Sequence, residues 1–595
     1  MESFAPYLDI AIRAARTAGD LLRADFHRPS GPRGEKDKAP ADTEAEQIIR
    51  GILLGANSDW GFLGEETGVV PGATGAPVWV VDPNDGTRDY IKGRRGSSVS
   101  IALVADRRPV IGVVYPFGYP DDDGVMFSAA VGRECVWKNG APVPASLKMK
   151  TGLTETDVVL VSGGGDRASH ANLMCTKPAR VMSIPSIAHR MALVAAGEAT
   201  ATTSLYSPRT WDFAAGHCLV LAAGGVVVDQ YGHEPVYQDD GDGSATRLFV
   251  GARAVAMDLS TRNWDLAFRS ERETAMPIVR LRKGAAVSDS LLLGRAQGAF
   301  LGHLVGSAVA TAFDATHPNP EVDRFTTSSL ANAAQLRRMT AGQTGSAGEL
   351  AIATARSLVN HASDSSSLKK LHAAWVESAP AQSDHAIAAA VSGRPLSDSV
   401  STMALARVTP FAIWGHETEP VILATTVRAD TALTHPSPIV GDAAAVLAIL
   451  IQALLHKKDA LLAIDLAHAF ARRSALSREV IDAIAQAAVS PGDSAGPSGP
   501  NAPAALQFTV FQLAHAPTFE SAMESALDIH SMSDALPSIL GGVMGARFGR
   551  DAVPARIRQL VMSSRPFEGL APRPRPPEYW ATDAMAIAEA LLTAR

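Results

Sequence analysis

The run Val78-Trp79-Val80-Val81-Asp82-Pro83-Asn84-Asp85-Gly86-Thr87 constrains this chain more than any other stretch. Four apolar residues in succession predict a buried strand. Asp82 and Asp85 close it, and Pro83 and Gly86 force a turn between and after them. Two carboxylates at a strand end can converge on one hard cation, with the Asn84 carbonyl as a further oxygen. Gly86 and Thr87 add backbone N–H groups and a hydroxyl, which can hold a phosphate oxygen and align a water. The same residues could also form a plain surface turn, so the rest of the chain must decide.

Three further segments decide it. Gly64-Glu65-Glu66-Thr67 lies upstream, Trp211-Asp212-Phe213-Ala214-Ala215-Gly216 lies downstream, and Asp42-Thr43-Glu44-Ala45-Glu46 comes near the start. With the D-P-N-D-G-T run, and in this order, they resemble the inositol monophosphatase superfamily and its D-P-[hydrophobic]-D-G-T signature. The resemblance implies an α/β layered sandwich and a Mg²⁺-dependent phosphomonoesterase. Two or three Mg²⁺ ions would be held by Glu65, Asp82, the Asn84 carbonyl, Asp85 and Asp212. Asp42, paired with Thr87, would activate the attacking water beside Glu65, and Gly86 and Thr87 would receive the phosphate.

The inositol phosphatases of that superfamily continue D-G-T-x-N-F. Here Thr87-Arg88-Asp89-Tyr90-Ile91 is closer to the D-G-T-[KR]-[ED]-[FY]-I of 3′(2′),5′-bisphosphate nucleotidases. The expected substrate is therefore a nucleotide 3′-phosphate such as adenosine 3′,5′-bisphosphate, with Arg88, Asp89, Ser186 and His189 as candidate contacts. An inositol or sugar phosphate is the alternative, and a non-catalytic nucleotide- or ADP-ribose-binding regulator is another.

At 595 residues the chain is too long for one core. A net charge of −7 leaves no electrostatic footprint for nucleic acid. Cys135, Cys175 and Cys218 lack metal-like spacing, which suits a reducing compartment. Met1–Leu22 is amphipathic and carries Glu2, Asp9, Arg13 and Arg16, unlike a leader peptide. No apolar run is expected to reach the roughly 18 residues of a membrane span. A cytoplasmic protein with no membrane partner is expected, and a homodimer is left open.

Helical patterns over residues 5–25, 42–54, 188–197 and 211–223 interleave with strand patterns over 97–105, 109–115 and 224–229. A charged stretch containing Arg269, Glu271, Arg272, Glu273, Arg280, Arg282 and Lys283 predicts a linker over 269–285, between a phosphatase domain (1–268) and a second domain (286–595). Beyond it the chain is rich in Ala and Leu and reads as all-α, with a flexible loop at Ser490–Pro503. Arg295–Gly306 and Ile539–Gly549 resemble helices of the ADP-ribosylglycohydrolases, and Leu433-Thr434-His435 resembles their L-T-H element. That family clamps two Mg²⁺ ions between acidic residues. Ser307, Ser346, Ala347 and Met532 stand at aligned acidic positions, and Asp534 alone keeps a carboxylate. This half is expected to be inactive and metal-free. A scaffold, a dimerisation surface or a cleft for an ADP-ribose-like or nucleotide ligand are the roles left to it.

Overall fold

The structure, a computed structural model, describes residues 4–132, 135–144, 147–243, 245–265, 278–313, 323–456, 459–492, 501–529 and 533–594. Two compact units emerge, Met1–Met276 with Leu281–Ser288, and Pro277–Arg280 with Asp289–Arg595. The expected linker is thus shared out. Residues 269–277 lie outside the described ones, 278–280 group with the second unit, and 281–288 pack on the first, where Lys283 abuts Gly31.

The first unit is layered. Strands β1 (Gly61–Gly64), β2 (Gly68–Val70), β3 (Val78–Asp85), β4 (Ser98–Ala105), β5 (Arg108–Tyr115), β6 (Phe127–Ala130), β7 (Val136–Lys138) and β8 (Ala141–Val143) form one sheet in the order β2-β1-β3-β4-β5-β6-β7-β8. Strands β9 (Val158–Val161), β10 (Arg180–Ser183), β11 (Ala201–Ser204), β12 (Val226–Val228) and β13 (Leu248–Gly251) form a second, ordered β10-β9-β11-β13-β12. Helices α1 (Ala5–Phe26) and α2 (Pro40–Ala56) cover the outer face of the first sheet. Helices α3 (Ile187–Ala195) and α4 (Thr210–Ala222) fill the space between the sheets.

This arrangement explains why β3 reads as unbroken hydrophobicity rather than alternation. Side chains alternate along a strand. Trp79 and Val81 point toward α1 and α2, while Val78 and Val80 point toward α3 and α4, so both faces are buried. The β4–β5 hairpin turns at Asp106 and Arg107, both at positive φ, as the spacing predicts.

The second unit is all-helical among its described residues. Helix α5 (Ser290–Ala312) crosses helix α8 (Ala535–Phe548) at backbone contact. A Cβ on Gly302 would lie 2.2 Å from the Gly541 carbonyl, and one on Gly298 2.4 Å from that of Gly545. Two further helices matter below, α6 (Ser346–His361) and α7 (Pro438–Leu455). Contrary to the expectation, α7 is apolar enough and, at 18 residues, long enough to cross a membrane, with mean hydropathy 2.1. It is 83% buried within the unit, as the central helix of a folded core would be.

Candidate active site

Residues three apart on a regular strand face opposite ways. Asp82 and Asp85 nevertheless converge, because β3 is irregular there. Asp82 pairs with Ser100 and Asp85 with Ser98, so three steps on β3 match two on β4. Pro83 cannot donate to the ladder, which favours such a bulge. Asp82 Oδ1 then accepts the Asn84 N–H at 2.8 Å. Gly86 follows at φ +104, and a Cβ there would meet Ser97 at 3.2 Å and Pro185 at 3.5 Å, so glycine is required.

Helix α4 brings in Asp212, whose Oδ2 accepts the Arg209 N–H at 2.8 Å. Ligating oxygens of Asp82, Asp85 and Asp212 lie within 4.8 Å of one another, and no other such trio of His, Cys, Asp or Glu exists among the described residues. Glu65 leaves the end of β1 and comes close enough to Asp82 to share a proton. Burial, then the charges of Glu65, Asp85 and Asp212, holds the Asp82 carboxyl well above its usual range. Asp212 is raised in the same way, by burial first and Asp85 next. Asp85 is also raised by burial, against the bonds it receives from Ser186 and Ala188. Glu65, the solvent-open member, is raised to about 7 by desolvation on its protein side and by the neighbouring carboxylates.

Four carboxylates facing one another without a bonded cation form a site that repels itself. A hard divalent ion with oxygen preference relieves that repulsion, so the residues present fit Mg²⁺.

Helix α2 supplies the neighbouring pair. Asp42, 2% exposed, accepts Asn84 Nδ2 and the Thr87 hydroxyl, each at 2.9 Å. Thr87 Oγ1 is also 2.9 Å from the Asn84 carbonyl. Burial raises the Asp42 carboxyl to about 7, although both hydrogen bonds oppose the rise. One turn further along α2, buried Glu46 accepts the Glu66 N–H at 2.9 Å and the Thr67 N–H at 2.7 Å. It thereby fixes the loop that carries Glu65.

Profiles of two families match the chain: the inositol monophosphatase family over residues 4–261 and the ADP-ribosylglycohydrolase family over 288–591. Inositol monophosphatase 2 of Solanum lycopersicum is 30% identical over 243 residues, covering 38% of this chain and 89% of that protein. The Nus factor SuhB of Xylella fastidiosa is 31% identical over 265 residues, covering 42% and 92%. The 3′(2′),5′-bisphosphate nucleotidase CysQ of Escherichia coli K12 is 31% identical over 234 residues, covering 38% and 91%. The first half belongs to the inositol monophosphatase family, and the second to the ADP-ribosylglycohydrolase family.

Within the inositol monophosphatase half, the candidate substrate contacts divide. Ser186 is fully buried, and its hydroxyl donates to Asp85 Oδ2 at 2.6 Å, so it orients the Asp85 carboxylate rather than meeting a substrate. His189 is 1% exposed, with Nδ1 3.3 Å from the Gly96 carbonyl and its ring against Tyr119. Burial lowers it to about 3, so it stays neutral and enclosed. Both expectations are corrected. Arg88 remains exposed, 3.3 Å from Asp37, and Asp89 is held by Arg94 at 2.8 Å. Sequence reasoning marked Glu46 as part of the Asp42–Glu46 run without giving it a role, and it missed Arg190. The latter is buried, bonds the Ile184 and Pro185 carbonyls at 2.8 and 3.0 Å, and lies in the field of Asp85 and Asp212.

In the ADP-ribosylglycohydrolase half, the aligned positions bond to one another. Asp534 Oδ2 accepts the Ser307 hydroxyl and, at 3.0 Å, the Ala347 N–H. Ser307 Oγ in turn accepts the N–H groups of Gly345 and Gly348 at 2.9 and 3.1 Å. The Ser346 hydroxyl donates to the Gln382 carbonyl. Met532 lies outside the described residues. A nearby recess, lined in part by Gln343, Thr344, Glu349, Arg575 and Trp580, has a volume of 230 Å³ including open solvent.

Proposed function

We propose that the first unit is a Mg²⁺-dependent phosphomonoesterase acting on a nucleotide 3′-phosphate such as adenosine 3′,5′-bisphosphate. The convergence of Asp82, Asp85 and Asp212 beside the Asp42–Thr87 pair carries the phosphatase reading. Phosphoryl transfer is mainly a problem of positioning and of charge to be neutralised. Mg²⁺ held by Glu65, Asp82, Asp85, Asp212 and the Asn84 carbonyl would supply that neutralisation and acidify a water.

The remaining work belongs to the chain itself. Thr87 gives its proton to Asp42 Oδ2 or to the Asn84 carbonyl, leaving an oxygen lone pair aimed outward to align an entering water. As that water attacks phosphorus in line, its proton passes toward Asp42 through Thr87. A carboxyl raised to about 7 is suited to accept it near neutral pH.

The nucleotide preference rests on Thr87-Arg88-Asp89-Tyr90-Ile91, supported by the likeness to a bisphosphate nucleotidase. An inositol phosphate is favoured instead by the comparable identity to a plant inositol monophosphatase. Phosphate release from adenosine 3′,5′-bisphosphate and from inositol 1-phosphate, with Mg²⁺ and with EDTA, tests both. The expected kcat/KM is higher for the nucleotide by tenfold or more, about 1.4 kcal/mol. A tenfold preference for inositol 1-phosphate overturns the nucleotide reading, and release undiminished by EDTA overturns the metal reading.

The second unit, on this proposal, has no hydrolase activity. The one carboxylate kept at the aligned positions, Asp534, is engaged by Ser307 and the α6 backbone. Release of ADP-ribose from a modified protein by the full chain would overturn this part.

A further inference from the structure

We infer that the segment Tyr237–Gly243 is a positioning strap for the metal-ligating Asp212, fastened through Asp242 and Thr210. The inference rests on the metal-centre reading above and concerns residues that no sequence motif singled out.

The strap touches two of the elements that bring ligands to the site, α4 and β3. Toward α4, the Tyr237 hydroxyl lies 2.9 Å from His217 Nδ1, and the two rings stack at 5.9 Å. Toward the β4–β5 turn, Arg107 Nε donates to the Tyr237 carbonyl at 2.9 Å. The chain then reverses tightly, with the Gly241 N–H bonded to the Gln238 carbonyl at 3.0 Å. Gly241 sits at φ +85, and a Cβ there would lie 3.0 Å from Val80 and 3.1 Å from Val78. The turn is thus pressed against β3, the strand that ends in Asp82 and Asp85.

The fastening comes next. Asp242 Oδ1 is 2.8 Å from the Thr210 hydroxyl and 2.9 Å from the Gly243 N–H, and the same hydroxyl meets the Gly243 carbonyl at 2.5 Å. Thr210, fully buried, opens α4 two residues before Asp212. Its neighbour Arg209 donates the N–H that fixes Asp212 Oδ2. Asp242 therefore holds Thr210, Thr210 holds the Arg209 backbone, and that backbone orients the carboxylate. Partners beyond the ligands themselves commonly account for tenfold to a hundredfold in metal affinity. A strap that merely packs would alter stability alone.

The full-length chain can be titrated with Mg²⁺, with binding followed by calorimetry. Thr210→Val keeps the branched shape but removes the hydroxyl, and Asp242→Ala removes one of that hydroxyl's two acceptors, leaving the Gly243 carbonyl. Thr210→Ser and Asp242→Asn keep the bonding atoms. The expected result is a Mg²⁺ dissociation constant raised about tenfold or more in the first two and within about twofold of wild type in the second two. Substrate KM at saturating Mg²⁺ should stay close to wild type in all four. Should Thr210→Val not fold, Asp242→Ala carries the test. Unchanged affinity in Asp242→Ala overturns the inference, as does an equal loss in the conservative pair. Absence of Mg²⁺ binding by the wild-type chain overturns the metal-centre reading and the strap together, whereas binding by wild type with unchanged variants removes the strap alone.

Discussion

Replacing Asp42 by Asn removes a buried charge without removing a hydrogen bond. The amide can present Oδ1 to Asn84 Nδ2 and its NH₂ to Thr87 Oγ1, while Thr87 gives its own proton to the Asn84 carbonyl. In the metal-free protein the Asp42 carboxyl is raised from 3.8 to about 7 by burial. The folded state therefore binds the proton more tightly than the unfolded chain, and stability falls as pH rises from about 4 to about 7, then levels off. Three pH units at about 1.4 kcal/mol each come to about 4 kcal/mol. Metal-free Asp42→Asn should thus match wild type near pH 4 and exceed it by about 4 kcal/mol near pH 8. Hydrogen exchange of first-unit peptides in EDTA, corrected for intrinsic rates, reads this opening free energy regionally. Activity should move the other way, falling on the order of 100-fold with the loss of the proton acceptor. An equal effect at both pH values, or a loss of stability near pH 8, would refute the reasoning.

Asp85→Asn, which removes one charged ligand, should lower kcat by on the order of 100-fold at saturating substrate, and full activity in steady-state assays would contradict the metal role. Glu46→Gln should leave one backbone N–H of the Glu65 loop facing an NH₂ group, costing about 1–3 kcal/mol and raising the Mg²⁺ needed for half-maximal phosphate release. Gly302→Ala places a methyl 2.2 Å from the Gly541 carbonyl and should destabilise the second unit by about 3 kcal/mol or more, seen as a lower urea midpoint for its helical signal.

The residues that chemistry makes distinctive were legible in the sequence. Oxygen donors at a strand end and at a helix start stand out because few other roles place Asp82, Asp85 and Asp212 beside Pro, Gly and a helix-opening Trp. The layered fold was legible for a related reason, since β3 is apolar on both faces and so must be covered on both. What escaped were the distant contacts that no motif marks. Ser186 meets Asp85 across 101 positions, and the strap reaches Thr210 across 32. Locally, Ser186 is only a hydroxyl before a helix and Asp242 one acid in a polar turn. His189 misled because a histidine one turn into that helix looks available until the fold closes around it. Helix α7 misled in the opposite sense, because its apolar length is decided by burial in a bundle core.

On the proposal that the second unit is inactive, its family's metal site is closed rather than left empty. A carboxylate buried at Asp534 without a dication must find other donors or become protonated, since an isolated buried charge is costly. Two donors are at hand. Ser307 carries a hydroxyl that gives its proton to Asp534 and receives the Gly345 and Gly348 N–H groups. The first turn of α6 adds the Ala347 N–H, one of the amides a helix start leaves without a partner. The positive end of the helix dipole also favours a carboxylate there. Burial still raises Asp534 to about 6, so these contacts offset desolvation only in part. Glu349, one turn into the same helix, is held by Arg575 at 2.7 Å and by Trp375 at 2.9 Å. Asp534 and Glu349 are therefore both fixed by protein donors.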